Sequence, residues 1–395
     1  MRSASTGSAL PDGAGLIHIG MPKTGTTALQ AALHDARPQL ADLGVRLMGK
    51  GRHEMRTALA AAGTLPPYWP DRREERWQQL AENFRTSTSR CTLWSSETLS
   101  QAAPDRIRLL SERLGPDTHV VLTLRPLAPL LASQWQEVLR RRGTDPLDHW
   151  LRRQFDAVSP DGTLHVELTR VMPELHRFSL RRVVEQWGSV FGEDRLTFVV
   201  ADPHDRDSNL RVFEALMGVP AGTLQLQEHV NASTPYPESE MLRAFNIAFT
   251  ENGGDHATWM FTAGKGGKLA LRELEGLPVH PIRTPRWAAE RANEYTRDWI
   301  AAVEGSDATV IGDLQNLLVD PADYPEDVTP PDMVSVTSAG RVADVLFRSA
   351  LEYAKPAPDP DLDAAPAARG LESYDGRELV RELARRARGR IGRRG

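Results

Sequence analysis

The stretch Leu16-Ile17-His18-Ile19-Gly20-Met21-Pro22-Lys23-Thr24-Gly25-Thr26-Thr27 sets a short apolar run against a glycine-bearing loop. The run Leu16 to Ile19, ending at Gly20, has the character of a buried strand. From Thr27 to Leu43 the residues Leu29, Leu33, Leu40 and Leu43 share one side of a helix, with a break expected at Pro38. A loop in this position faces the free N–H groups of a helix N-terminus. Those groups and the helix dipole together form an anion site. Gly25 lets the backbone approach the anion closely, Thr26 and Thr27 add hydroxyl donors, and Lys23 adds a positive charge.

Gly20 and Gly25 have the spacing of the glycines in the ATP-binding P-loop, where Lys and then Ser or Thr follow the second glycine. Here Thr26 occupies that lysine's place, and the lysine stands two residues before Gly25. The loop is therefore expected to hold a phosphate without the usual reach to an ATP γ-phosphate. No clear metal-binding strand of the Walker-B kind accompanies it.

Working outward, further strands are expected at Cys91 to Ser96, ending at Glu97, at His119 to Leu124, ending at Arg125, and at Arg195 to Val200. Helical patterns run from Arg73 to Phe84, from Leu130 to Arg142, and through much of 241–318. Strands separated by helices predict an α/β fold with a central parallel sheet flanked by helices. The expected organisation is a flexible leader at 1–14, one domain at 15–354, a Pro/Asp-rich linker at 355–375 and an Arg-rich tail at 376–395.

Composition excludes several classes. The 395 residues are 40% apolar and 26% charged, as in a globular protein. Cys91 is the only cysteine, which excludes an intramolecular disulfide and a cysteine-ligated zinc site. No run approaches the ~20 apolar residues of a membrane span, and no secretory signal is read at the start, so a cytoplasmic location is expected. The net charge of −5 argues against a specific nucleic-acid partner. The tail differs, with eight arginines against two glutamates between Gly376 and Gly395, a net +6. It reads first as a solvated terminus, and secondarily as a cationic segment for weak contact with an anionic membrane surface.

The segment Ile19 to Gln30 resembles the 5′-phosphosulfate loop of sulfotransferases that use 3′-phosphoadenylyl sulfate (PAPS). The resemblance implies a three-layer, P-loop NTPase-like form of the α/β fold, and that Lys23, Thr24, Gly25, Thr26 and Thr27 hold the 5′ end of that nucleotide, with Lys23 near the leaving oxygen. The same family carries an Arg at a strand end and a Ser eight positions later, which bind the 3′-phosphate. Arg125 and Ser133 match that spacing. A guanidinium suits phosphate through paired donors. Two phosphate clamps imply a 3′,5′-bisphosphorylated adenosine, with PAPS as co-substrate and no metal.

Sulfuryl transfer to a hydroxyl or amine needs a base. Glu97, in Ser95-Ser96-Glu97, resembles the strand-end Glu of several carbohydrate sulfotransferases, and a carbohydrate is one expected acceptor class. His53 is the rival base, and His18 reads as a buried, hydrogen-bonded side chain. The Asn231-Ala232-Ser233 element and the Gly264 to Lys268 loop resemble family features more loosely. Trp69, Trp94, Trp135 and Trp187 are open as ligand platforms or as core. Two other readings remain: a P-loop kinase or NTPase using ATP, and a non-catalytic nucleotide-binding scaffold.

Overall fold

The computed structural model describes residues 8–51, 54–64, 73–165, 173–202, 204–226, 234–264 and 281–354. His53, Trp69, Asn231 to Ser233, Lys265 to Lys268, the linker and the tail lie outside these residues.

Six strands form one sheet: β1 (Ala14–Gly20), β2 (Val45–Leu47), β3 (Cys91–Ser95), β4 (His119–Leu124), β5 (Leu196–Val200) and β6 (Thr309–Ile311). Their order is β2-β3-β1-β4-β5-β6, and every pairing is parallel. The expected α/β class is therefore observed, in the P-loop type of arrangement. The chain crosses over β1 in passing from β3 to β4, which opens a crevice beyond the carboxyl ends of these three strands.

The four strands read from sequence are the long, buried ones. The two short outer strands, β2 and β6, were not legible. Each has three residues and is partly exposed, so neither carries a continuous apolar run.

Period-2 alternation splits the core into two faces. Ile17 and Ile19 point to one face, with Leu122, Trp94, Leu131 and Trp135. Leu16 points to the other, with Leu93, Val121, Leu33 and Phe213. Helices cover both. The second face receives α1 (Thr26–Asp35), α2 (Arg37–Asp42) and the helix Ser208–Met217. The first receives α3 (Met55–Ala62), α4 (Arg73–Arg85), α5 (Pro104–Leu114) and α6 (Leu127–Leu139). The helix expected over 27–43 is two helices, parted at Ala36, just before Pro38 reaches the first turn of α2. Helix α6 begins three residues earlier than its apolar pattern suggests, because Pro129 fits an N-terminal turn.

Trp94, Trp135 and Trp187 are fully buried, and Trp94 stacks on Trp77 at 5.6 Å. They are core residues, not ligand platforms. The described end of the leader is held by two backbone bonds, Leu10 donating to the Leu216 carbonyl of the helix Ser208–Met217 and Gly13 to that of Arg90, just before β3. Among the described residues no helix is long and apolar enough to cross a membrane.

Candidate active site

Three segments meet beyond the carboxyl ends of β1, β3 and β4. The first is the loop Met21 to Gly25. Lys23 (φ 68°) and Gly25 (φ 88°) both adopt the left-handed conformation. That conformation is costly for lysine, and such residues concentrate at functional sites. Alternation with left-handed residues is also how successive N–H groups converge on an anion. Gly25 caps α1 with no side-chain acceptor. Ala28 and Leu29 donate to the Gly25 carbonyl. The N–H groups of Thr26 and Thr27 have no backbone acceptor among the described residues. They head a ten-residue helix, open toward the crevice side.

The second segment follows β3. Ser96 donates its N–H to the His18 carbonyl, which brings Glu97 beside the end of β1. A Cβ on Gly20 would lie 2.7 Å from the Glu97 Cβ, so only glycine lets the two segments approach this closely. Gln30, on α1, donates to Glu97 Oε2 at 2.9 Å. The carboxylate is thereby oriented from the helix that the phosphate loop starts. Glu97 is half-buried, and its Oε1 makes no hydrogen bond among the described residues.

The third segment follows β4. Arg125 is exposed, and its guanidinium makes no hydrogen bond or ion pair among the described residues. Ser133 is half-buried on α6, and its hydroxyl is likewise without a partner there. A cation left without a carboxylate beside a phosphate loop is suited to an anionic ligand.

The loop lysine is not free. Lys23 Nζ donates to Glu137 Oε1 at 2.5 Å. Arg140 Nη1 reaches the same oxygen at 2.5 Å. Burial pushes the Lys23 ammonium below the ordinary lysine range, and Glu137 partly offsets this. Burial by itself would raise Glu137, but Lys23 and Arg140 hold its carboxyl below the usual range. Glu137 was not read from sequence. Its signal was available: it lies one helical turn beyond Ser133, on the same face of α6. Asn209 was missed as well. Its Nδ2 is 4.0 Å from where a Cβ on Gly25 would sit, and its Oδ1 is buried without a partner among the described residues.

Of the residues read as ligand-holding, Thr24 is placed differently from its neighbours. Its hydroxyl is buried, donating to the Met21 carbonyl at 2.6 Å and lying 2.7 Å from Thr123 Oγ1. It faces the sheet, leaving only its backbone to face a ligand. Thr26 is buried and Thr27 exposed. The loop, Glu97, Arg125 and Ser133 are thus brought to one end of the sheet.

Comparison with known proteins gives one family match. Residues 15–196 match the family model described as "Sulfotransferase domain". That span contains all three segments. No curated protein matches the chain. Among solved structures, a sulfotransferase from Alicyclobacillus acidocaldarius is similar with a TM-score of 0.37 and 16% identity, covering 64% of this chain and 99% of that one.

Proposed function

From the premise that residues 15–196 form a sulfotransferase domain, we propose that the chain moves a sulfuryl group from PAPS to a hydroxyl or amine acceptor, with a carbohydrate as the favoured acceptor class. The observation that carries this reading is Arg125 at the end of β4, unpaired among the described residues and on the strand next to the one that leads into the phosphate loop. One anion clamp suits any nucleotide. A second, with Ser133 on the following helix, suits a nucleotide with a phosphate on its 3′ oxygen, which ATP lacks.

The donor-binding groups are then the loop N–H groups from Lys23 to Thr27, with Arg125 and Ser133 at the other end. The donor supplies the reactive sulfur–oxygen bond. The acceptor oxygen or nitrogen forms a bond to sulfur as the bond from sulfur to the 5′-phosphate oxygen breaks. Glu97 Oε1 takes the acceptor's proton, while Gln30 holds Oε2. Lys23 leaves Glu137 and offsets the charge growing on the departing phosphate oxygen. Products are the sulfated acceptor and adenosine 3′,5′-bisphosphate. The domain is proposed to run over 15–354, with the cytoplasm as its location.

The test is calorimetric titration with adenosine 3′,5′-bisphosphate, AMP and ATP–Mg²⁺, followed by transfer from sulfur-labelled PAPS to a panel of glycans, phenols and amines. Selective binding of the bisphosphate and label transfer are expected. Preference for ATP–Mg²⁺, with no label transferred, would overturn the reading.

A further inference from the structure

His18 is fully buried in the middle of the sheet, and the mechanism above does not use it. On the sheet face covered by α1 it lies between Ser95 of β3 and Thr123 of β4. Its Nδ1 is 2.8 Å from Ser95 Oγ, and its Nε2 is 3.2 Å from Thr123 Oγ1. Thr123 Oγ1 in turn is 2.7 Å from Thr24 Oγ1. Thr24 donates to the Met21 carbonyl.

Counting protons gives these contacts a direction. A carbonyl only accepts, so the single Thr24 hydroxyl proton goes to Met21. Thr24 therefore accepts from Thr123, whose one proton is then used. Thr123 must accept from His18, which places a proton on Nε2. Burial drives the imidazole down to about 3, so at neutral pH the ring carries no second proton. Nδ1 is then an acceptor, and Ser95 donates to it. The order is Ser95 to His18 to Thr123 to Thr24 to Met21, with every hydroxyl proton assigned.

We propose that His18 is a positioning residue for the donor site, setting the phosphate loop through this one-directional hydrogen-bond chain. The chain begins two residues before Glu97 and ends two before Lys23. It crosses the three strands whose ends carry the phosphate loop, the base and Arg125. Its members Thr24 and Thr123 are each 1% exposed, so the chain supports the loop from beneath and touches no ligand. It holds the inner side of a loop whose Lys23 sits in a costly conformation. The inference rests on the loop being the donor site.

Two measurements test it. Long-range proton–nitrogen NMR on the intact protein at pH 7 is expected to show His18 as the Nε2–H tautomer; an Nδ1–H tautomer would overturn the chain. Calorimetry with adenosine 3′,5′-bisphosphate is then run on Thr123→Val, Thr123→Ser and Thr92→Val. Thr92 makes a hydroxyl bond to Ser87 at the opposite end of β3 and serves as control. Loss of the chain in Thr123→Val is expected to weaken binding ~10-fold and to raise the donor KM while leaving the acceptor KM unchanged. Thr123→Ser restores the link and is expected within ~2-fold of wild type. Thr92→Val is expected to bind normally despite a similar loss of thermal stability. Equal binding by Thr123→Val and Thr92→Val would overturn the positioning role. Failure of the wild type to bind the bisphosphate would overturn the donor reading instead, and the nitrogen spectra would still judge the chain.

Discussion

Beyond the carboxyl ends of β1, β3 and β4 stand the phosphate loop, Glu97 and Arg125. Beyond their amino ends lies a cleft of about 300 Å³, lined by residues that include Asp12, Asp117, His119 and Arg195. At that end the cations are matched: Arg195 pairs with Asp117 at 2.8 Å and Arg90 with Asp12 at 3.5 Å. Burial, with Arg195 adding to it, keeps His119 below the ordinary histidine range. At the loop end the balance differs. Arg125 has no carboxylate among the described residues, two residues are wound left-handed, and buried hydroxyls are ordered beneath the loop. Empty volume alone would point to the amino ends and not to the proposed donor site. Unmatched charge, with a fixed backbone to present it, selects the other.

The strongest way to break that contrast is to remove a cation at each end. Lys23→Ala is expected to lower kcat/KM for labelled transfer by ~10²- to 10³-fold, the range for losing one preorganised donor at a developing charge. Arg195→Ala, at the opposite end, is expected to leave kcat/KM unchanged and to cost only modest stability, because its partner Asp117 is largely exposed. Equal losses in the two variants would remove the distinction between the ends.

Arg125→Ala sharpens the comparison within the loop end. Bisphosphate binding is expected to weaken by ~10- to 100-fold, the scale of hydrogen bonds to a charged group. AMP, which has no 3′-phosphate, is expected to bind the variant and the wild type alike. A parallel loss of AMP binding would make Arg125 a general electrostatic contact and not a 3′-phosphate clamp.

Much of this end was legible because its signals are local. A strand, a glycine-bearing turn and a helix start are contiguous from Leu16 to Leu33. Arg125 and Ser133 are fixed to each other by one strand end and two turns of helix. Glu97 was found because it terminates an apolar run. What escaped the sequence depends on tertiary approach. Nothing local to Glu137 says that Lys23, 114 residues away, will reach it. Gln30 stood inside the quoted loop segment, but its role appears only when β3 is laid beside β1. The hydroxyls of Ser95 and Thr123 look like ordinary strand residues until the register sets them on either side of His18.

Glu137 supplies the third prediction, and its direction is opposite to that of the first two. Its carboxylate occupies the lysine that a donor phosphate would need. In Glu137→Gln the ammonium is released, and bisphosphate binding is expected to tighten by ~5-fold at low salt, with the gain shrinking as salt screens it. Weaker binding in this variant would mean that Glu137 supports the site and does not compete with the ligand.

The last prediction concerns pH and stability. The neighbours of His18 on β3, β4 and the helix Ser208–Met217 are Ser95, Thr123 and Phe213, all uncharged. Unfolded, the imidazole takes up a proton near pH 6.5; folded, it stays neutral down to about pH 3. Between those values the unfolded chain binds more protons, so stability falls as pH falls. Burial also depresses His119 and His176, so the total slope is shared among several histidines. The difference between wild type and His18→Gln isolates one of them. From pH 6 to pH 5 the wild type is expected to lose up to about 1.4 kcal/mol more than the variant, the cost of one proton per pH unit. Urea denaturation at the two pH values measures this directly. Parallel losses in both proteins would mean that His18 is already protonated in the fold, and the proton order from Ser95 to Met21 would fall with it.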